Sequence, residues 1–180
     1  MRLVIVVFIV VAVAVAVAVW RWSRRSRPSR PSRPYTYSKN VLSRGDFNRL
    51  VRAVSGLRLR PEKGGGKGGP YGRMVADVPD EALKIVRSLV APRAPVLVQY
   101  REYPAGSGMH WHRDQVLWDP PQTEYVLTLA NDSDSRTCFE DGTCIRSEPN
   151  SLVSVRAGGV AHTVVPATDG LRTIIKFAVA

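Results

Sequence analysis

From Pro95 onward the chain is a succession of short runs without helical periodicity, and nothing else limits its fold so sharply. The runs are Val96 to Tyr103, Met109 to Trp118, Glu124 to Ala130, Arg136 to Phe139, Leu152 to Val155, Val160 to Val165 and Leu171 to Val179. Clusters of Gly, Pro, Asn and Asp separate them, as turns separate strands. Short strands in this number bury one face by packing sheet on sheet, which predicts a mainly-β sandwich or jelly roll over residues 95 to 180. Residues 39 to 94 read as a helical support region. One helix is predicted from Asp46, a capping residue, with Phe47, Leu50, Val51 and Val54 at three- and four-residue spacing and Gly56 ending it. A second is predicted from Asp80, with Leu83, Val86, Leu89 and Val90 on one face and Pro92 beyond its end. Between them Gly64-Gly-Gly-Lys-Gly-Gly69 lacks the spacing of a phosphate-binding loop and reads as a linker.

The N-terminus is of another kind. Leu3 to Val19 contains no polar residue, and as a helix Leu3 to Trp20 rises roughly 27 Å, close to the ~30 Å of a bilayer core. A cleavable signal peptide is the rival, but its apolar region is shorter and ends in small residues, whereas this run ends in Trp20-Arg21-Trp22. Residues 1 to 20 therefore read as a single transmembrane anchor, and residues 21 to 38, where an Arg-Pro-Ser pattern forbids helix, as an extended stalk. The net charge of +11 invites a nucleic-acid partner, yet Arg21, Arg24, Arg25, Arg27, Arg30 and Arg33 supply six of those charges and leave +5 for the rest. A basic stalk that meets anionic lipid is the better reading. The positive-inside rule puts the C-terminal domain on the cytoplasmic side, although short anchors of secretory enzymes also face the lumen. Cys138 and Cys144 flank Glu140-Asp141-Gly142; they either bridge a hairpin or stay as two small hydrophobes.

All three histidines, His110, His112 and His162, fall among the strand-like runs. In a strand, residues two apart share a face, so His112 and Asp114 aim an imidazole and a carboxylate at one point, and His162 can supply a third ligand. Two histidines and one carboxylate on one face of an octahedron suit ferrous iron, because three positions stay open. Ten residues after His162 stands Arg172, followed by Thr173, in an otherwise apolar run. A guanidinium there can grip a carboxylate through two charge-assisted hydrogen bonds. His110 shares the face of His112 in a regular strand, so a cupin-type His110-x-His112 motif completed by His162 is the rival. The Glu that motif expects is missing, with only Gln115 nearby, and Arg172 goes unexplained.

Tyr103-Pro-Ala-Gly106, His112-Arg-Asp114, His162-Thr-Val-Val-Pro166 and Gly170-Leu-Arg172, in that order, resemble the iron(II)/2-oxoglutarate dioxygenase superfamily, and in particular its prolyl-4-hydroxylase-like branch. The resemblance spans residues 95 to 180. It implies a double-stranded β-helix, Fe(II) held by His112, Asp114 and His162, and 2-oxoglutarate held by Arg172 with Tyr103 and Thr173 as helpers; ascorbate is an optional accessory. It also implies apolar pocket walls, for which Trp111, Trp118 and Phe139 are the candidates, and a protein or peptide substrate such as a prolyl residue. Collagen-type prolyl hydroxylases usually carry Lys where this chain has Arg172, which makes it more similar to the oxygen-sensing enzymes. The Gly-Gly-Glu-Thr segment common in relatives is represented only by Asp134-Ser-Arg-Thr-Cys-Phe139. Two other functions remain as alternatives: a non-catalytic metal-binding module, and a nucleic-acid demethylase of the alkylation-repair type.

Overall fold

Residues 34–62 and 70–180 are described by the computed structural model. The apolar run at residues 3–20, the arginine-rich segment through residue 33 and the glycine-rich linker at 64–69 lie outside the described residues. Among the described residues no helix is long and apolar enough to cross a membrane. In chain order the strands are β1 (Tyr35–Lys39), β2 (Arg60–Pro61), β3 (Pro70–Tyr71), β4 (Met74–Asp77), β5 (Val96–Pro104), β6 (Gly108–His112), β7 (Thr123–Asn131), β8 (Arg136–Phe139), β9 (Cys144–Ile145), β10 (Ser151–Arg156), β11 (His162–Val165) and β12 (Leu171–Val179). They make two antiparallel sheets, a seven-stranded one in the order β1-β10-β7-β12-β5-β4-β2 and a five-stranded one in the order β3-β6-β11-β8-β9. The predicted mainly-β, jelly-roll-like fold is what these sheets form.

The large sheet is buried on both faces, and β12 at its centre shows how one strand serves both. Ile175, Phe177 and Val179 pack with Leu50 and Val54 of helix α1 (Arg44–Val54) and with Ala82 and Val86 of helix α2 (Asp80–Ser88). The alternate residues Arg172, Ile174 and Lys176 turn toward the small sheet and line a cavity. The two charged side chains of this strand, Arg172 and Lys176, are therefore cavity residues. The two helices cover the opposite, apolar face.

Several sequence expectations shift. Helix α1 is capped by Ser43, whose hydroxyl accepts from the Asp46 amide at 3.1 Å, so Asp46 is the third helical residue and not the cap. In α2 the buried stripe is Ala82, Ile85 and Val86, with Leu83 and Leu89 only partly covered. Residues 35–38, assigned to the stalk, belong to the edge strand β1, where Tyr35 turns inward and stacks on Phe139 at 3.8 Å between ring centroids. The region 39–94 is not purely helical, because β2, β3 and β4 lie in it and extend both sheets. The run predicted to reach Trp118 stops as a strand at His112. Beyond that point fully buried Gln122 holds the chain, accepting from the Leu117 amide at 3.1 Å and donating to the Gln115 carbonyl at 2.7 Å. Cys138 and Cys144 form a disulfide across the β8–β9 hairpin.

Candidate metal centre

Strands β6 and β11 are paired with His112 directly opposite His162. The pairing then slips, Val164 standing opposite Met109, which marks one extra residue in β6. This bulge decides which histidine enters the cavity. Met109 and His112 both line it, whereas His110 is turned out, exposed, with its ring 4.8 Å from that of Tyr71. The expectation that His110 shares the face of His112 fails for that reason, and the cupin-type motif loses a member.

Asp114 lies two residues past the strand end, not on the strand as alternation predicts, yet its carboxylate reaches the same point. Its backbone carbonyl accepts from the Gly158 amide at 2.9 Å. Next to it the Arg113 guanidinium bonds the Gly159 carbonyl and pairs with Glu140 at 2.6 Å. Asp114 Oδ1 stands 3.8 Å from His112 Nε2 and Oδ2 3.6 Å from His162 Nε2. The two rings are 4.3 Å apart, and the three candidate donor atoms all lie within 4.8 Å of one another.

Each imidazole is tied at its other nitrogen. His112 Nδ1 is 2.8 Å from the His110 carbonyl and His162 Nδ1 is 3.2 Å from that of Val160. A carbonyl only accepts, so Nδ1 carries the proton and Nε2 keeps its lone pair for a metal. Burial and the neighbouring His162 hold the His112 pKa below its ordinary value, against the pull of the His110 carbonyl and Asp114. The neutral, ligating form is the favoured one.

Deeper in the barrel the end of β5 meets the start of β12, with Tyr103 directly opposite Arg172. Arg172 is 1% exposed, and its ring neighbour Tyr103 lies 5.8 Å from the guanidinium carbon. Among the described residues its one side-chain hydrogen bond goes to Thr137 Oγ1 at 3.2 Å, and its Nε has no partner. Burial pushes its pKa down. A buried guanidinium facing no carboxylate is a cation waiting for an anion, since leaving it unpaired costs several kcal/mol, on the order of 3. Tyr103 accepts at its oxygen from Arg73 Nη1 at 2.6 Å, so its own proton is free to be donated onward. A metal with a carboxylate co-substrate fits this arrangement: three donors at one end, an unsatisfied guanidinium at the other.

Thr173 is not brought to the site. It alternates with Arg172 and faces the helices, beside Tyr100, Val54 and Leu129. Thr137, on β8, is the threonine that lines the cavity and accepts from Arg172. The cavity walls are Met109, Val126, Val153, Val155, Val164 and Ile174. Phe139 is buried and backs His162 at 6.0 Å, but Trp111 and Trp118 are 55% and 38% exposed and wall nothing in. Sequence reasoning also misses Arg73, Arg101, Glu124 and Lys176, which line the same cavity. Two-residue alternation from Arg172 and from Tyr103 points to Lys176 and Arg101.

No protein-family model and no curated protein matches the chain. Solved structures do. A prolyl hydroxylase from Trichoplax adhaerens, determined in complex with a hypoxia-inducible-factor oxygen degradation domain peptide, superposes with a TM-score of 0.65 at 16% identity, over 82% of this chain and 84% of that one. A Pseudomonas putida prolyl-4-hydroxylase gives 0.60 at 17% identity, over 81% and 91%. The viral collagen prolyl hydroxylase of Paramecium Bursaria Chlorella virus-1, in its 2-oxoglutarate complex, gives 0.59 at 14% identity, over 83% and 97%. The chain therefore has the fold of the 2-oxoglutarate- and Fe(II)-dependent oxygenases, prolyl hydroxylases among them.

Proposed function

We propose that this chain is an Fe(II)- and 2-oxoglutarate-dependent oxygenase that hydroxylates a C–H bond, with a prolyl or other protein residue as substrate. The observation that carries the reading is a pairing: His112, Asp114 and His162 converge at one end of the cavity, and the unpaired, fully buried Arg172 stands at the other. Either feature alone suits many ligands; an acid with two ends, one of which chelates a metal, accounts for both. The peptide held by the Trichoplax prolyl hydroxylase supports a protein substrate.

On this reading His112, Asp114 and His162 hold the iron through two Nε2 atoms and a carboxylate oxygen. Arg172 receives the far carboxylate of 2-oxoglutarate, and Tyr103 donates its hydroxyl proton to the same group. When bound, iron and 2-oxoglutarate supply an oxidation in which loss of carbon dioxide from the keto acid is coupled to hydroxylation of substrate. The chain's part is to fix both ends of the co-substrate and to keep water out with the aliphatic walls of Val126, Val153, Val164 and Ile174.

The sequence-based reading of residues 3–20 as a bilayer anchor is part of the proposal. The Cys138–Cys144 bridge supports an oxidising, lumenal or exterior, location for residues 34–180, the reverse of the side that the arginine distribution favours. The enzyme reading is tested with full-length protein in detergent, Fe(II) and 2-oxoglutarate in air. Succinate appears in NMR spectra and is lost in Asp114→Ala. Absence of both succinate and iron binding in the unmodified protein refutes it.

A further inference from the structure

Beside the residues assigned above, Arg73, Arg101, Lys176 and Glu124 line the cavity, and Glu62, outside its lining, joins them in a network of three cations and two carboxylates. Glu62 is shared: one oxygen pairs with Arg73 Nε and the other stands 3.4 Å from Arg101 Nη2. Lys176 Nζ lies 3.1 Å from Glu124 Oε2, and Gln122 donates to the other Glu124 oxygen at 3.1 Å. Arg73 is completed by Tyr103 at 2.6 Å. One positive charge is left over, and the contacts place it on Arg101. Apart from the long contact to Glu62 its side chain donates to neutral Gln99 at 2.7 Å, and among the described residues its buried Nε has no partner. Arg101 is 8% exposed and lines the cavity.

Such a group is costly unless an anion completes it. The co-substrate cannot do so, because on the reading above one of its carboxylates is at the metal and the other at Arg172. Arg101 stands opposite Ile174, one inward position along from the Tyr103–Arg172 pair, a displacement of ~7 Å along the strands. Arg101 is thus a different inward position from the one assigned to the co-substrate.

We infer that Arg101 anchors a second anion pocket in the barrel, and that the substrate carries a carboxylate or similar oxyanion close to the carbon that is oxidised. The assignment rests on the proposed function and narrows it. A lysyl ammonium entering the cavity meets the net positive charge on Arg101, whereas an acidic side chain or a chain-terminal carboxylate meets an unsatisfied fork.

The test uses full-length protein in detergent, loaded anaerobically with Fe(II) and 2-oxoglutarate. Propionate and its uncharged isostere propionamide are titrated in and followed by saturation-transfer NMR. Propionate is expected to saturate and to bind at least tenfold tighter than propionamide. Arg101→Gln removes that preference, and Arg101→Lys, which keeps the charge, retains part of it. Equal binding of the two probes, competition between propionate and 2-oxoglutarate for one site, or a preference that survives Arg101→Gln overturns the pocket. So does loss of 2-oxoglutarate binding in both variants, which traces the effect to packing. If the unmodified protein fails to bind 2-oxoglutarate, the oxygenase reading itself falls; if it binds and shows no preference for propionate, only the second pocket falls.

Discussion

Replacing Arg172 with Met stabilises the ligand-free protein while destroying its response to 2-oxoglutarate. Arg172 is 1% exposed and, among the described residues, its guanidinium bonds one side chain, Thr137, and is unpartnered at Nε. Substituting apolar side chains for buried charges gains on the order of 1–4 kcal/mol when the shape is filled, and Met follows the path of the arginine stem. Leaving the Thr137 hydroxyl without its partner takes back about 1 kcal/mol. The net is a gain of up to about 3 kcal/mol, which in a domain of this size raises Tm by up to about 12 °C. The same change removes one member of a buried charge pair in the complex, a loss of about 2–5 kcal/mol or roughly 30- to 5,000-fold in affinity. Calorimetry of full-length protein with Mn(II), with and without 2-oxoglutarate, reads both quantities. An Arg172→Met protein that melts lower than wild type when ligand-free, yet still gains Tm from 2-oxoglutarate, refutes the account of Arg172 as an anion receptor held in waiting.

Three further outcomes are expected. His110→Ala leaves metal affinity within about twofold, since the bulge turns His110 outward, whereas His112→Ala lowers it by a factor of about 100 or more; isothermal titration with Mn(II) separates the two. Glu62 has its pKa lowered: burial acts upward and is outweighed by Arg73 and Arg101. Its contribution is therefore complete above the unfolded value of about 4.5 and fades as pH falls through the lower folded value, so the gap in urea stability between wild type and Glu62→Gln narrows from pH 6 to pH 3. A constant gap removes the ion pairs as its source. Opening the Cys138–Cys144 bridge, a link across six residues of sequence, lowers unfolding stability by about 2 kcal/mol in denaturant titrations of Cys138→Ser/Cys144→Ser. An unchanged midpoint refutes that contribution.

The strand-rich half and the convergence of His112, Asp114 and His162 are legible in the sequence because each leaves a local mark: turn residues between apolar runs, and His-x-Asp with a distant His. Thr173 misleads because adjacency in sequence means opposite faces in a strand, and Arg172 already occupies the inner one. His110 misleads because a bulge leaves no composition signature that a two-residue period can detect. The short strands β2, β3 and β4 escape for another reason. Two of them are two residues long, too short to show any period, and are defined by partners distant in sequence: β3 pairs with Gly108 and Met109, and β4 pairs with β5. The charged network around Arg101 is visible only as alternation on strands that otherwise read as apolar core.

The two ends of the cavity are carried by different sheets. His112 and His162 ride on the five-stranded one, Tyr103 and Arg172 on the seven-stranded one, which has the helices behind it. A molecule gripped at both ends is thus a rivet through the barrel, and its arrival fastens the thinner wall to the thicker. Under the proposed function, cleavage of the co-substrate to a shorter acid would undo that fastening.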